Sequence, residues 1–327
     1  MFAVYVEKPS FDDPLSALIV GERPEPEVPE GWVRVKISAA SLNWHDLWTL
    51  RGMGAANGRP EKFPMTLGND GVGTLDDGTA VAIYPLLGSI DWKDDETLDP
   101  TRRVFSEIDQ GSFADYMIVP RRNAVPIPAN LPRISASVLG ASYITAYRMM
   151  FSRVRLRPGQ TVLVQGSAGG VATALIQLGH AAGYRVWATG RTAEKRVLAE
   201  RLGAERAFAT NEPLPEQVDA VFEPIGKVTF EHSMNSVRPG GTIVVCGITS
   251  GNRPEIDLAK LFIEQITITG VMAGTRSEFV DLINFVSRHK IEPHIGTVMP
   301  MADAKRGFQM LAEGNFDGKI VLNKEGM

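Results

Sequence analysis

Residues 161–172 read TVLVQGSAGGVA, an apolar run that passes through Gly166, Ser167, Ala168, Gly169 and Gly170 into Val171 and Ala172. A strand that turns through glycines into a helix lets backbone approach a pyrophosphate closely and aims the helix's positive end at it. The chemistry suggested is dinucleotide binding, and with it hydride transfer. Phrased as GxGxxG, the three sites are Ser167, Gly169 and Ala172, so the fingerprint is incomplete. Its context is right: a strand precedes, a helix follows, and a second strand ends about 20 residues on, where ribose selectivity is set.

That second strand ends in Gly190, Arg191 and Thr192, with Lys195 a turn later and no acid before Glu194. A carboxylate there would bind a ribose 2′-hydroxyl and repel a 2′-phosphate, whereas Arg191 can form charge-assisted hydrogen bonds to the phosphate. The residues therefore predict NADPH rather than NADH. A surface arginine at a helix start is the structural alternative.

The elements around this turn follow from pattern. Val33, Val35 and Ile37 alternate with Arg34, Lys36 and Ser38, the period of a half-buried strand. Asp77-Gly78 lies between two short apolar runs and reads as a hairpin turn. Residues 113–119 read as another strand. Residues 89–110 are acidic and poor in apolar side chains, which predicts a surface loop or lid, with the Lys93–Glu96 charge run as a solvated face. From about residue 124 the rhythm becomes strand–helix–strand: strands at 161–165, 185–189, 219–223, 242–246 and 266–271, helices at 170–182 and 193–202. Such alternation predicts a doubly wound parallel sheet with ligand at the carboxyl ends of its strands.

Composition narrows the classes. The chain has 327 residues, 44% hydrophobic and 22% charged, with a net charge of −4. This is long enough for two domains and carries no basic footprint for nucleic acid or anionic membrane. No signal-peptide pattern opens the chain and no apolar run reaches the length of a bilayer span. Cys246 is the only cysteine, which excludes intrachain disulfides and cysteine-built zinc sites and suits a cytoplasmic location. The five histidines, His45, His180, His232, His289 and His294, show no ligand spacing.

Several ordered motifs now carry a resemblance. SLNWHDLWTLRG at 41–52, LGNDGVG at 67–73, GSFADYMIVP at 111–120, Thr145-Ala146-Tyr147, RPGQTVLVQGSAGGVA at 157–172 and the closing GKIVL resemble the medium-chain dehydrogenase/reductase superfamily, in its zinc-free quinone oxidoreductase-like branch. The resemblance spans nearly the whole chain. It implies an α/β fold: a GroES-like β-rich catalytic domain, expected at 1–123 and 272–327, and a Rossmann NADPH-binding domain at 124–271. Where zinc alcohol dehydrogenases of the superfamily ligate metal with Cys, His and a further Cys or Asp, this chain has Asn43, Asn69 and Ala141. Amides are poor zinc ligands and alanine is none, so no metal is expected.

Without a Lewis acid, hydride needs an acceptor that is already electrophilic, such as a quinone or a C=C bond conjugated to a carbonyl. The resemblance implies that acceptor class. It points to Thr145, Gly166–Val171, Gly190–Thr192, Lys195, Gly226, Gly247 and Ile248 for the cofactor, with Gly247 admitting backbone to the nicotinamide side. Asn43, His45 and Asp46 are the candidate catalytic residues, at the start of a short helix expected beside the nicotinamide. Asn43 would donate to a substrate oxygen or cap the helix; His45 would relay a proton; Asp46 would handle protons or serve as a buried structural carboxylate. The tyrosine that some enoyl reductases carry after this helix is replaced by Gly52-Met53-Gly54, leaving Tyr84 or Tyr143 as substitutes. Trp44, Trp48 and Met53 would wall a pocket or pack a core.

The expected protein is thus a cytoplasmic, NADPH-dependent, zinc-independent reductase of small electrophiles. No nucleic-acid or membrane partner is expected, and the resemblance implies a homodimer joined through the last Rossmann strands near 266–273. A nucleotide-binding sensor without turnover, and a metal-free carbonyl reductase or alcohol dehydrogenase, remain open alternatives.

Overall fold

The structure, a computed structural model, describes residues 1–53 and 62–324; Gly54 of the glycine segment lies outside them. The chain divides into two compact units, Met1–Ser142 with Thr275–Met327, and Tyr143–Gly274.

The first unit is built on a seven-stranded sheet. The strand Trp32–Ser41 is its spine, pairing antiparallel with Val72–Leu75, with Tyr116–Pro120 and with Lys319–Asn323. Val33, Val35 and Ile37 enter the core as their alternation requires, and a register shift between Ile37 and Ala39 then buries Ala39 and Ala40 together. The Asp77-Gly78 hairpin forms as read: Gly78 takes φ +89°, and the Asp77 carboxylate accepts from the Thr79 amide at 2.9 Å. A three-stranded sheet of Leu18–Glu22, Phe2–Val6 and Met65–Thr66 packs with it.

The C-terminal strand does most to build a site. Val321 pairs with Ser41, which carries Lys319 to the end of the spine strand beside Leu42 and Asn43. The strand is buried from Lys319 to Leu322, so the lysine is fixed there by its neighbours' packing.

Two expectations change here. The unit boundary falls after Ser142 rather than after residue 123. The intervening segment belongs to the first unit because Ala124–Pro126 pairs with Ala80–Ile83 and the Arg133 guanidinium donates to Ser38 and Thr74. Residues 89–110 are not simply a surface loop. Leu86–Leu87 pairs with Arg103–Val104, and Asp99, Phe105, Ser106 and Glu107 are buried. Their burial is local to a few side chains, which average polarity hides.

The second unit is a six-stranded, all-parallel sheet. Its order is Arg206–Ala209, Arg185–Gly190, Thr161–Val164, Val218–Glu223, Val237–Val245 and Thr267–Gly270. Strand order reverses between Thr161–Val164 and Val218–Glu223, the switch point at which a Rossmann sheet binds its ligand. All four side chains of Thr161–Val164 are buried, as a central strand covered on both faces demands. The pattern does not reveal the edge strand Arg206–Ala209, in which only Phe208 is buried.

Candidate active site

In the second unit, Gly166 holds φ +87°, a conformation that side chains disfavour. A Cβ added at Gly169 would meet nothing within 4 Å, so no protein contact demands glycine there. The helix Gly170–Ala181 follows Gly169 without any side-chain cap, leaving its first amides unsatisfied by the chain. Beside them Ser167 is buried, and its Oγ has no hydrogen-bond partner among the described residues. An orphaned hydroxyl, uncapped amides and open space at a glycine together fit the pyrophosphate of a dinucleotide.

The turn is held by a polar chain of neighbours. The Gly166 amide donates to Thr189 Oγ1 at 2.9 Å, and Thr189 donates to Gln165 Oε1 at 2.9 Å. Gln165 Nε2 donates to Ser233 Oγ at 3.0 Å, and Ser233 donates to Glu223 Oε2 at 2.7 Å. The other oxygen of Glu223 accepts the amides of Ile225 and Gly226 at 2.8 and 2.9 Å. One buried network therefore fixes the ends of three adjacent strands, and sequence reading had missed Gln165, Thr189, Glu223 and Ser233.

Arg191 is exposed at the end of Arg185–Gly190, and Thr192 caps the next helix by accepting from the Lys195 amide. Arg196 donates to the Gly190 carbonyl at 3.0 Å. Glu194 interacts with the Thr192 side chain, so the nearest acid serves the helix start. Thr145 lies half-buried on the helix Ile144–Phe151, and Ile248 is exposed. At Gly247 an added Cβ would stand 2.2 Å from the Pro224 carbonyl oxygen. Packing within the unit thus requires this glycine, which corrects the reading that it clears room for nicotinamide. Gly226, at φ +98°, is likewise hemmed in by the Gly251 carbonyl. Cys246 is half-buried; burial first, and then the Glu223 carboxylate, push its thiol up to about 12.

In the first unit, the start of the helix Trp44–Leu50 gathers a buried polar cluster. Lys319, only 3% exposed, points its ammonium at the Leu42 carbonyl, Asn43 Oδ1 and Ser142 Oγ. Asn43 Nδ2 faces three acceptors: the Ser41 carbonyl, Asp70 Oδ2 and Asn69 Oδ1, at 3.1, 3.1 and 3.0 Å. Its donors are thus engaged within the protein, which corrects the expectation that Asn43 donates to a substrate. Asp70 also accepts from the Ser41 amide and hydroxyl. Burial raises its pKa and lowers that of Lys319, each opposed by the attraction between them.

Asp46 accepts the Asn43 amide on one oxygen and the Gly68 amide on the other, at 2.8 and 3.0 Å. Complete burial lifts its carboxyl to about 6, against the pull of His45 and of these amides. It ties the helix start to the loop bearing Asn69. His45 Nε2 lies 2.9 Å from Glu107 Oε1, and its Nδ1 is buried without a partner. Glu107, Asp70, Ser142 and Lys319 had given no sign in the sequence.

Tyr84 is 2% exposed and packs on Phe279, and Tyr143 is fully buried with its hydroxyl donating to Gln177 at 2.6 Å. Neither phenol is presented as an acid. Trp44 and Met53 are exposed and Trp48 half-buried. The donors aligned with the superfamily's metal ligands do not fit zinc. Among the described residues no three His, Cys, Asp or Glu side chains could hold a metal ion, and Asn43 Oδ1 already meets an ammonium.

Comparison with known proteins bears on the fold and the family. Residues 29–129 match the family model of the alcohol dehydrogenase GroES-like domain, and residues 170–288 match that of zinc-binding dehydrogenase. The chain is similar to the acryloyl-coenzyme A reductase of Metallosphaera sedula, 26% identical over 93% of this chain and 95% of the relative. A solved NAD-dependent alcohol dehydrogenase superposes with a TM-score of 0.92 at 28% identity, over 99% of this chain and all of that one. A 2-octenoyl-CoA carboxylase reductase, solved with NADP and 2-octenoyl-CoA, gives a TM-score of 0.89 at 21% identity, covering 100% of this chain and 89% of that one; at this identity the likeness is one of fold.

Proposed function

We propose that this member of the medium-chain dehydrogenase/reductase superfamily, an oxidoreductase, uses NADPH to reduce quinones or α,β-unsaturated carbonyl compounds without a bound metal. The observation that carries the reading is the ammonium of Lys319 on Asn43 Oδ1. A lysine cation held at a position aligned with a metal ligand leaves that cluster charge-compensated by its own residues, which supports an acceptor that needs no Lewis acid. The acryloyl-coenzyme A reductase among the similar proteins supports the acceptor class. Arg191, followed by Glu194 as the next acid, which serves the helix start, supports the phosphorylated nucleotide.

NADPH, when bound, supplies a hydride to the electron-poor carbon of the acceptor. The uncapped helix at Gly170 and Ser167 Oγ would bind its pyrophosphate, and Arg191 with Lys195 its 2′-phosphate. His45, held by Glu107 and carrying an Nδ1 without a partner among the described residues, is our candidate for the proton relay.

A homodimer belongs to the same reading. Thr267–Gly270 is an edge strand, and the helix Leu258–Ile263 exposes Leu258, Phe262 and Ile263 at 67, 71 and 67%. A cytoplasmic location does too; among the described residues no helix is long and apolar enough to cross a membrane. The test is NADPH oxidation with cyclohexenone, benzoquinone and crotonyl-CoA, with nucleotide binding followed in parallel and products analysed for C=C or C=O reduction. Turnover on the conjugated acceptors, undiminished by chelator, is the expected result. Binding without oxidation across the panel would sink the reading.

A further inference from the structure

Hydrogen-bond polarity in the first unit runs outward from Lys319. An ammonium has donors only, so the atom of Asn43 that faces it must be Oδ1. The Ser41 carbonyl, which can only accept, fixes the other end of the same amide as Nδ2. Asn43 Nδ2 in turn faces Asn69 at 3.0 Å, and a donor requires an acceptor, so Oδ1 of Asn69 points inward. Its Nδ2 therefore points the other way. Asn69 is 6% exposed, and among the described residues nothing accepts from that nitrogen.

That nitrogen is not sealed from solvent, so its two N–H groups can donate to water or to an acceptor on a bound ligand. The backbone that carries it is held on both sides. The Gly68 amide donates to Asp46, the Gly68 carbonyl accepts from Ser112, and Asp70 accepts from Ser41 through both carboxylate oxygens. At Gly68, φ is +95°, and an added Cβ would lie 2.5 Å from Ser112 Oγ, so the loop has no room to relax. The donor is thus aimed before any ligand arrives, the arrangement that favours developing negative charge.

We propose that Asn69 is the catalytic residue that binds the carbonyl oxygen of the conjugated acceptor through Nδ2, with Lys319 and Asn43 as positioning residues that set its polarity. The proposal rests on the reading of the protein as a conjugated-carbonyl reductase. In the step, a hydride carries two electrons from the dihydronicotinamide to the β-carbon. The C=C pair shifts toward the carbonyl, whose oxygen takes the negative charge as an enolate against Asn69. The α-carbon then takes a proton from an acid, and the nicotinamide is left oxidised.

The test uses Asn69→Asp, which keeps the acceptor for Asn43 and loses the donor, and Asn69→Leu, which loses both while keeping the volume. Each is checked for wild-type melting and NADPH affinity. With cyclohexenone, kcat should fall about a hundred-fold in both, with NADPH binding unchanged. Independently of turnover, isotope-edited infrared spectra of bound cyclohexanone should show the carbonyl stretch lowered on the wild-type protein and unshifted on Asn69→Leu. Wild-type protein that turns over no conjugated acceptor defeats the functional reading, while the infrared arm still judges Asn69. Unchanged kcat in both variants, or no lowered band on the wild-type protein, overturns the assignment of Asn69.

Discussion

Lys319 and Asn43 stand 276 residues apart in the chain, yet the ammonium of one donates to the side-chain oxygen of the other inside the first unit. The contact exists because the closing strand pairs with the end of the spine strand, Val321 against Ser41. Two carboxylates, Asp70 and Asp46, share the cluster and feel that ammonium. Lys319→Met would leave them buried with no cation and should cost about 3–5 kcal/mol in urea unfolding at neutral pH. Adding Asp70→Asn should recover part of this loss, since the uncompensated charge goes with it. A cost for Lys319→Met under about 1 kcal/mol would mean that the ammonium does not hold the cluster together.

Asp46 gives the cluster a pH signature. Its folded pKa, about 6, lies above the ordinary aspartate value of 3.8, so the native state binds the extra proton between those values. Stability therefore falls as pH rises through this window and levels off above it. The differential is about 3 kcal/mol for a shift of this size. Urea midpoints of the wild type and Asp46→Asn at pH 4 and pH 7.5 isolate it. The variant pays a fixed cost for losing one acceptor, but its stability relative to wild type should rise with pH. A constant difference between the two pH values would show that Asp46 does not titrate as described.

How far the sequence carried depended on whether the signal was local. The strand Trp32–Ser41, the Asp77-Gly78 hairpin and the turn from Thr161 to Gly170 are written in consecutive residues, as alternation or as glycines. His45 and Asp46 were legible from their place at a helix start; their partners Glu107 and Gly68 lie 62 and 22 residues on and carry no pattern. Lys319 reads as an ordinary charged residue in a terminal strand, and only pairing with Ser41–Ala39 makes it buried. In the sequence Asn43 offers a donor and an acceptor alike. Its polarity is fixed by groups that only the fold brings together.

Arg191 decides the choice of nucleotide if it meets the 2′-phosphate. Its exposure means that salt should weaken the effect, and that replacing it should leave the fold intact. Arg191→Glu should weaken NADPH binding at least about tenfold, or 1.4 kcal/mol, with NADH unaffected. Nucleotide fluorescence titrations at low and moderate salt measure both. Equal affinities in wild type and variant would remove Arg191 from the site.

Cys246 should be inert in the native protein. Burial and Glu223 raise its thiol to about 12, so thiolate, the reactive form, is scarce near pH 8. Mass spectrometry after maleimide treatment should show little labelling of native protein and complete labelling in denaturant. Rapid native labelling would show that this strand end opens.

Ser233 separates turn geometry from nucleotide selectivity. It accepts from Gln165 and donates to Glu223, and so connects the Gly166 turn with the Gly226 turn. Ser233→Ala leaves Gln165 Nε2 with only His232 and takes one donor from the buried Glu223 carboxylate. The cost to stability should be about 1–3 kcal/mol, the penalty for unsatisfied buried groups. Because the turn loosens as a unit, NADPH and NADH affinities should fall by the same factor, about three- to tenfold. Arg191→Glu, by contrast, should move one and spare the other. If Ser233→Ala instead changed the ratio of the two affinities, the network would reach the 2′-phosphate end of the site, and the division of labour between turn and arginine would be wrong.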